Sequence, residues 1–165
     1  MSLRDDRPQP ISILLVEDGH VQTLFIETAL AELPQLDLLH VAKDGVEAME
    51  FLRREVQGMT GRLPDLILLD INMPKKNGFE VLTELKSDPV LRRVPVVVFS
   101  TSDSQEDIDR AYDKGASTFI TKPVTLGDLK QVLDRIADYW VEAARLPTHR
   151  RAAREETPRI WRSAG

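Results

Sequence analysis

A run of four apolar residues that ends in a carboxylate constrains the fold of this chain more than any other stretch. The run is Leu66–Leu69, which follows a turn proline and leads directly into Asp70. A short, continuous apolar segment bounded by turn residues is typical of a strand that is buried on both faces of a parallel sheet. Asp70 is therefore predicted to lie at the carboxyl end of a buried strand, which is the edge of an open α/β sheet where ligands bind.

Strand-like and helix-like segments alternate along the rest of the chain. Four further strands are predicted over residues 11–16, 36–41, 95–100 and 118–121. The helices between them are predicted to begin after Asp44, Ser104 and Thr125, which have cap-forming side chains, and near Gly19 and Gly78. The last helix has apolar residues three and four positions apart from Leu126 to Trp140. Five strands alternating with five helices predict a doubly wound parallel sheet with helices on both faces.

Length and composition bound the class of protein. At 165 residues with 42% hydrophobic and 30% charged residues, the chain has the composition of one ordinary globular domain with short extensions. It has no cysteine, which excludes disulfides and thiolate sites, and no apolar run long enough to cross a membrane. We expect a flexible start over residues 1–10, a domain over 11–146, a tail over 147–165, and a cytoplasmic location.

The charge is distributed unevenly. The tail, residues 147–165, contains five arginines and two glutamates and so carries +3, which leaves −8 on the remainder of a chain whose total is −5. A basic segment on an acidic body is either a solvated tail or a contact for a partner or a second copy. The overall negative charge disfavours nucleic-acid binding.

Polar side chains follow four of the predicted strands. Glu17 and Asp18 follow the first, Asp70 the third and Lys122 the fifth, while Ser100 ends the fourth. In a parallel sheet these ends share one edge, where carboxylates placed close together repel each other. A divalent cation would relieve the repulsion, and Mg²⁺ prefers oxygen ligands of this kind. We therefore predict an Mg²⁺ site formed by the side chains of Asp18 and Asp70, by Glu17 through water, and by the Asn72 backbone.

The same edge has the chemistry of a phosphoryl acceptor. Carboxylates are known nucleophiles that form aspartyl-phosphates. A metal ion and the ammonium of Lys122 would neutralise charge on the group transferred to Asp70. Ser100 could then donate a hydrogen bond to a phosphoryl oxygen.

At these positions the sequence resembles the receiver domain of two-component response regulators over residues 11–140. Ser100 follows Asp70 by 30 residues and Lys122 follows it by 52, which are the spacings expected of that family. The resemblance rests on several groups in a fixed order, which are Glu17, Asp18, Asp70, Asn72, Met73, Pro74, Gly78, Ser100, Lys122 and Pro123.

The resemblance implies a fold and a role for each site residue. The fold is flavodoxin-like, with strand order 2-1-3-4-5, and Asp70 receives a phosphoryl group from a phosphohistidine of a sensor histidine kinase. Lys122 contacts that group and Ser100 moves toward it. Phe119, whose ordinary interpretation is core packing, acts as an aromatic switch. The bond between Lys122 and Pro123 is expected to be cis.

The resemblance also implies partners and a mode of output. No DNA-binding domain is expected, so the chain resembles stand-alone receivers, and several loops resemble the single-domain regulators paired with phytochrome-type kinases. Such regulators tend to be dimeric. We expect a homodimer through the fourth helix, fifth strand and fifth helix, a surface whose conformation changes on phosphorylation, no direct contact with DNA or membrane, and no enzymatic activity beyond autodephosphorylation.

Two other functions remain open from the residues alone. A phosphohydrolase that works through an aspartyl-phosphate has similar metal chemistry, but its general acid usually stands two residues after the nucleophile, where this chain has Asn72. The second alternative is an interaction module that retained the fold and lost phosphorylation.

Overall fold

The computed structural model describes residues 9–58 and 62–147, and within them it contains one parallel sheet. Its strands pair in the order β2-β1-β3-β4-β5, and every pair is parallel. This confirms the predicted flavodoxin-like arrangement. The strands are β1 Ile11–Val16, β2 Leu36–Ala42, β3 Leu66–Leu69, β4 Val96–Ser100 and β5 Thr118–Thr121.

The helices begin at residues whose side chains satisfy the free backbone amides of the first turn. The side chains of Asp44, Asn77, Ser104 and Thr125 each accept a hydrogen bond from the backbone N–H three residues on. The caps expected at Asp44, Ser104 and Thr125 are therefore present. The helices are α1 His20–Ala31, α2 Gly45–Val56, α3 Gly78–Ser87, α4 Gln105–Asp113 and α5 Leu126–Ala137.

Two local features differ from the sequence-based expectations. The last helix was expected to remain regular to Trp140, but α5 ends at Ala137 and continues as a π-helix over Asp138–Ala143. Trp140 and Val141 nevertheless pack against the core beside α5, so the apolar stripe correctly indicated burial but not helix type. The expected cis bond before Pro123 is wrong, because no described peptide bond is cis and the trans form is the lower-energy state of most X–Pro bonds.

The core consists of two apolar clusters separated by the sheet. Side chains of β1, β3 and β4 alternate between them and are almost all inaccessible to solvent. One cluster includes residues of α2, α3 and α4, and the other includes residues of α1 and α5. Because three central strands are buried on both faces, only their ends are available for polar chemistry.

No helix in the described ranges is long and apolar enough to cross a membrane. The predicted basic tail, apart from Pro147, and most of the predicted flexible start lie outside the described residues.

Candidate functional site

The carboxyl ends of four strands bring the predicted site residues together. Glu17 and Asp18 follow β1, Asp70 follows β3, and Ser100 is the last residue of β4. The sheet register aligns Val16 with Leu69, so the acidic pair and Asp70 leave neighbouring strands at the same level. The structure thus brings these residues together with Lys122, which follows β5.

Three carboxylates form the acidic part of the site. One oxygen from each of Glu17, Asp18 and Asp70 lies within 4.8 Å of the other two. Glu17 and Asp70 are only 2% and 6% exposed, whereas Asp18 is exposed to solvent. Asp18 lies at the rim of the site because it is the second residue past the end of β1.

Lys122 neutralises much of the buried negative charge. Its side chain is 8% exposed, its Nζ forms an ion pair with Glu17, and the same Nζ lies 3.4 Å from Asp70 Oδ2. The Nζ also donates a hydrogen bond to Gln22 Oε1 at 2.7 Å. Gln22 was not identified from the sequence, although its place in the first turn of the helix after the acidic pair was an available signal.

Asp70 and Ser100 are connected through the loop that follows β3. The backbone N–H of Asn72 donates to Asp70 Oδ1 at 3.1 Å, and its side-chain Nδ2 lies 3.5 Å from Ser100 Oγ. Ser100 is fully buried, and its Oγ also accepts a hydrogen bond from the backbone N–H of Ser102 at 3.2 Å. The two carboxylate oxygens of Asp70 therefore have separate protein contacts. Oδ1 accepts from the Asn72 N–H, and Oδ2 lies beside the Lys122 ammonium.

A cavity of about 450 Å³ opens onto this group of residues. Asp18, Asp70 and Asn72 line it, together with Thr101 from the end of β4 and the first residues of α1. The cavity gives a ligand direct access to the Asp70 carboxylate, although the carboxylate itself is mostly buried.

The side chains present fit a magnesium ion. Mg²⁺ binds oxygen at about 2.1 Å in octahedral geometry and uses one or two carboxylates plus water. Oxygens within 4.8 Å of one another can meet at one such ion, and the open cavity leaves room for water. The described Asn72 contacts involve its backbone N–H and side-chain nitrogen, so a metal contact from its carbonyl remains a prediction.

Burial raises the pKa of Glu17 above its ordinary value of 4.5. The hydrogen bond and positive charge of Lys122, and the Gly19 N–H that donates to Glu17 Oε1, partly oppose this effect. A carboxyl whose pKa is raised by folding stabilises the fold below its unfolded pKa, and this contribution is lost as the pH rises through the folded pKa. Ionisation of Glu17 at neutral pH therefore lowers the free energy of unfolding, and it supplies a negative charge to the site.

The Glu17→Gln variant should therefore be more stable than the unchanged protein at pH 7 without metal, because burying a neutral amide costs less free energy than burying a charge. The gain should shrink as the pH falls, because protonated Glu17 is as neutral as glutamine. Urea denaturation in EDTA at several pH values measures both effects. Replacing the exposed Glu27 by Gln is the control, with a change of less than about 0.5 kcal/mol, and a Glu17→Gln protein that is less stable at pH 7 would contradict this interpretation.

Phe119 lies on β5 with its side chain partly buried against the cluster that contains α2, α3 and α4. Its backbone N–H donates to the hydroxyl of Tyr112 on α4 at 3.2 Å. Tyr112 was not predicted to take part, and its half-exposed ring links α4 to β5 beside Phe119. This placement is compatible with core packing and with a switch, so the switch role remains a prediction.

This fold and this acidic edge define a class of protein. Residues 13–134 match the family described as the response regulator receiver domain, and the chain therefore belongs to that family.

Several relatives are similar to this chain over nearly their whole length. Response regulator Rcp1 of Synechocystis sp. is 37% identical over 145 residues, which cover 88% of this chain and 99% of that protein. The crystal structure of the phosphorylated cyanobacterial phytochrome response regulator RcpA has a TM-score of 0.76 and 44% identity, and the Mn²⁺-bound form of Rcp1 has 0.73 and 37%. Each alignment covers 84% of this chain and 99% of the solved one.

Proposed function

We propose that this chain is a single-domain response regulator whose Asp70 accepts a phosphoryl group from the phosphohistidine of a sensor histidine kinase. The observation that carries the proposal is the Asp70 carboxylate at an open cavity, beside Lys122 and within reach of two further carboxylates. A carboxylate with a cation and a metal site beside it is suited to nucleophilic attack on phosphorus.

The chemical step moves one phosphoryl group. An oxygen of Asp70 forms a bond to phosphorus as the bond from phosphorus to the kinase imidazole nitrogen breaks, and the imidazole leaves with the electron pair of that bond. Asp18, Asp70 and the Asn72 carbonyl would hold Mg²⁺, with Glu17 acting through water, and the ion would supply positive charge to the phosphoryl oxygens. Lys122, 3.4 Å from Asp70 Oδ2, would supply a further donor from the protein side.

Phosphorylation would then alter the contacts of Ser100. The new group adds about −1.5 to −2 units of charge and three acceptor oxygens at the carboxyl edge. The hydroxyl of Ser100 would turn to donate to one of these oxygens, and its present contacts with Ser102 N–H and Asn72 Nδ2 would be lost. A shift of the loop before α4 would follow, which supports the proposed switch at Phe119 and the α4–β5–α5 face.

The proposed partners are a kinase of the phytochrome type and a second copy of the chain. The similarity to the phytochrome response regulator RcpA and to the bacteriophytochrome response regulator AtBRR supports the first. The half-exposed Tyr112, bonded to β5, supports a dimer through the α4–β5–α5 face. Light scattering should show a dimer, and a monomer at every working concentration would contradict it.

We also propose a cytoplasmic location and signalling without direct DNA contact or enzymatic turnover.

Labelling with acetyl phosphate tests the proposed reaction. In Mg²⁺, intact-mass analysis should show one adduct of about 80 Da, the mass of one phosphoryl group, and EDTA should prevent it. Rapid release of phosphate over many turnovers would support a hydrolase instead. The absence of any adduct, with the fold intact, would support an interaction module that no longer accepts phosphate.

An exposed apolar ridge on α1 offers a contact for the kinase beside the cavity. Val21, which lines the cavity, and Leu24 and Phe25 are spaced along one face of the helix and are all exposed. Replacing Leu24 and Phe25 together by serine should slow phosphotransfer from the kinase at least about tenfold, because two apolar contacts are lost. Labelling by acetyl phosphate, which needs no docking surface, should not change.

Kinetic comparison with Val90→Ser provides the control for that variant. Val90 is also exposed but lies between α3 and β4, at the opposite edge of the sheet. If the α1 variant were phosphorylated more slowly by the kinase and by acetyl phosphate to the same extent, the result would show damage to the site and not loss of docking.

A further inference from the structure

A groove between α3 and α4 is lined by several cations that the phosphoryl site does not use. Its main cavity has a volume of about 550 Å³, and a second cavity of about 400 Å³ shares Phe79 and Arg110 with it. The second cavity reaches Asn72, so the groove extends from the edge of the acidic site to α2.

Two cations, one in α4 and one directly after it, face this groove without a carboxylate partner among the described residues. Arg110 places its guanidinium 4.0 Å from the centre of the Phe79 ring, and Lys114, one turn further on, donates to the Thr83 hydroxyl at 3.2 Å. Both remain able to pair with a ligand carboxylate, because neither present contact neutralises their charge.

The loop before α3 supplies the opposite wall. Lys75 and Lys76 lie there, where Lys75 forms an ion pair with Asp44 at 3.3 Å and Lys76 forms one with Glu84. Four cations and two carboxylates, Glu80 and Glu84, line the main cavity, and with the Asp44 carboxylate paired to Lys75 the net charge is +1. The rest of the domain is acidic, so this concentration of positive charge is local and not a property of the whole surface.

The lining of the groove also includes apolar surface. The exposed Val46 of α2 lines it together with the charged side chains, as does the edge of Phe79, which is only 6% exposed under Arg110. A ligand that satisfies both parts must carry negative charges and an apolar group. A compact multivalent anion fits less well, because Glu80 and Glu84 would repel it.

We propose that the groove between α3 and α4 binds an acidic, amphipathic peptide segment of a downstream protein partner. Carboxylates of the segment would pair with Arg110 and Lys114, and an apolar side chain would cover Val46 beside the stacked Arg110 and Phe79. This inference does not depend on phosphoryl transfer and can be tested on the unphosphorylated protein.

The probe is a fluorescein-labelled peptide of about twelve residues with glutamate and leucine in a helical repeat. Its binding to the full chain is measured by fluorescence anisotropy. Binding should weaken as salt is added, because exposed charge pairs are screened. Replacing Arg110 and Lys114 together by glutamine should weaken binding about tenfold, since each exposed pair contributes modestly. Replacing Lys130 and Arg135 of α5 by glutamine removes equal charge from the other side of the sheet and should have little effect.

Amide chemical-shift mapping with the same peptide locates the contact on the unchanged protein. Shifts centred on Phe79, Thr83 and Lys114 would support the proposal. Shifts centred on α1, equal binding of a peptide with glutamine in place of glutamate, or competition by inorganic phosphate alone would overturn it. Acetyl phosphate labelling of each variant, unchanged in every case, separates this result from the fate of the proposed reaction.

Discussion

Replacing Asp70 by Asn should abolish phosphorylation by acetyl phosphate completely, whereas the unchanged protein gains one adduct. The amide has no anionic oxygen to attack phosphorus, and it removes one of the carboxylates that would hold the metal ion. The isosteric side chain can still accept a hydrogen bond from the Asn72 N–H, so the loop should keep its shape. Intact-mass analysis over a time course measures the loss.

The matched control for this variant is Asp37→Asn. Asp37 lies on β2 and is exposed, so its replacement removes the same charge without touching the site. It should be labelled at the rate of the unchanged protein. An adduct on the Asp70→Asn protein at that same rate would show that another residue accepts the phosphoryl group.

Replacing Gly78 by Ala should destabilise the protein by about 3 kcal/mol, the upper end of the usual range for overpacked sites. A Cβ at this position would lie 2.4 Å from the carbonyl oxygen of Asp70 and 2.6 Å from the Cα of Ile71. Both atoms belong to the backbone, so no side-chain rotation can relieve the clash. The loop that positions Asp70 would have to move, and labelling by acetyl phosphate should slow as well.

Gly127→Ala is the control for the glycine variant. Gly127 lies in the first turn of α5, and a Cβ there would meet no other atom within 4 Å. The protein should become about 0.4–1 kcal/mol more stable, because alanine restricts the unfolded chain. Urea denaturation of both variants compares them directly, and equal stability of the two would refute the importance of the close approach at Gly78.

The strands and their ends could be predicted because their signals are local. Leu66–Leu69 is continuous and apolar, and its burial on both faces follows from that pattern. Once the strands are parallel, Asp70, Glu17 and Lys122 must reach the same edge of the sheet. Their proximity could therefore be predicted without knowing any contact between distant residues. The family resemblance supplied the strand order, which periodicity alone does not determine.

The features that were missed depend on contacts between distant segments. Gln22 reaches Lys122 across 100 positions, and Tyr112 reaches the backbone of Phe119 on the neighbouring strand. The exposure of Asp18 depends on the direction of the chain after β1, and the sequence contained no local signal for the π-helix that follows α5. The cations of the groove come from two different segments, so no single stretch of sequence identifies it.

The most direct measurement is the location of the phosphoryl group after labelling. Reduction of the labelled protein with borohydride converts an aspartyl-phosphate into homoserine, which peptide mass spectrometry can place in the sequence. Homoserine should be found at position 70 alone. Homoserine at position 18, or a phosphoryl group on His20 beside the same cavity, would contradict the assignment of Asp70 as the acceptor.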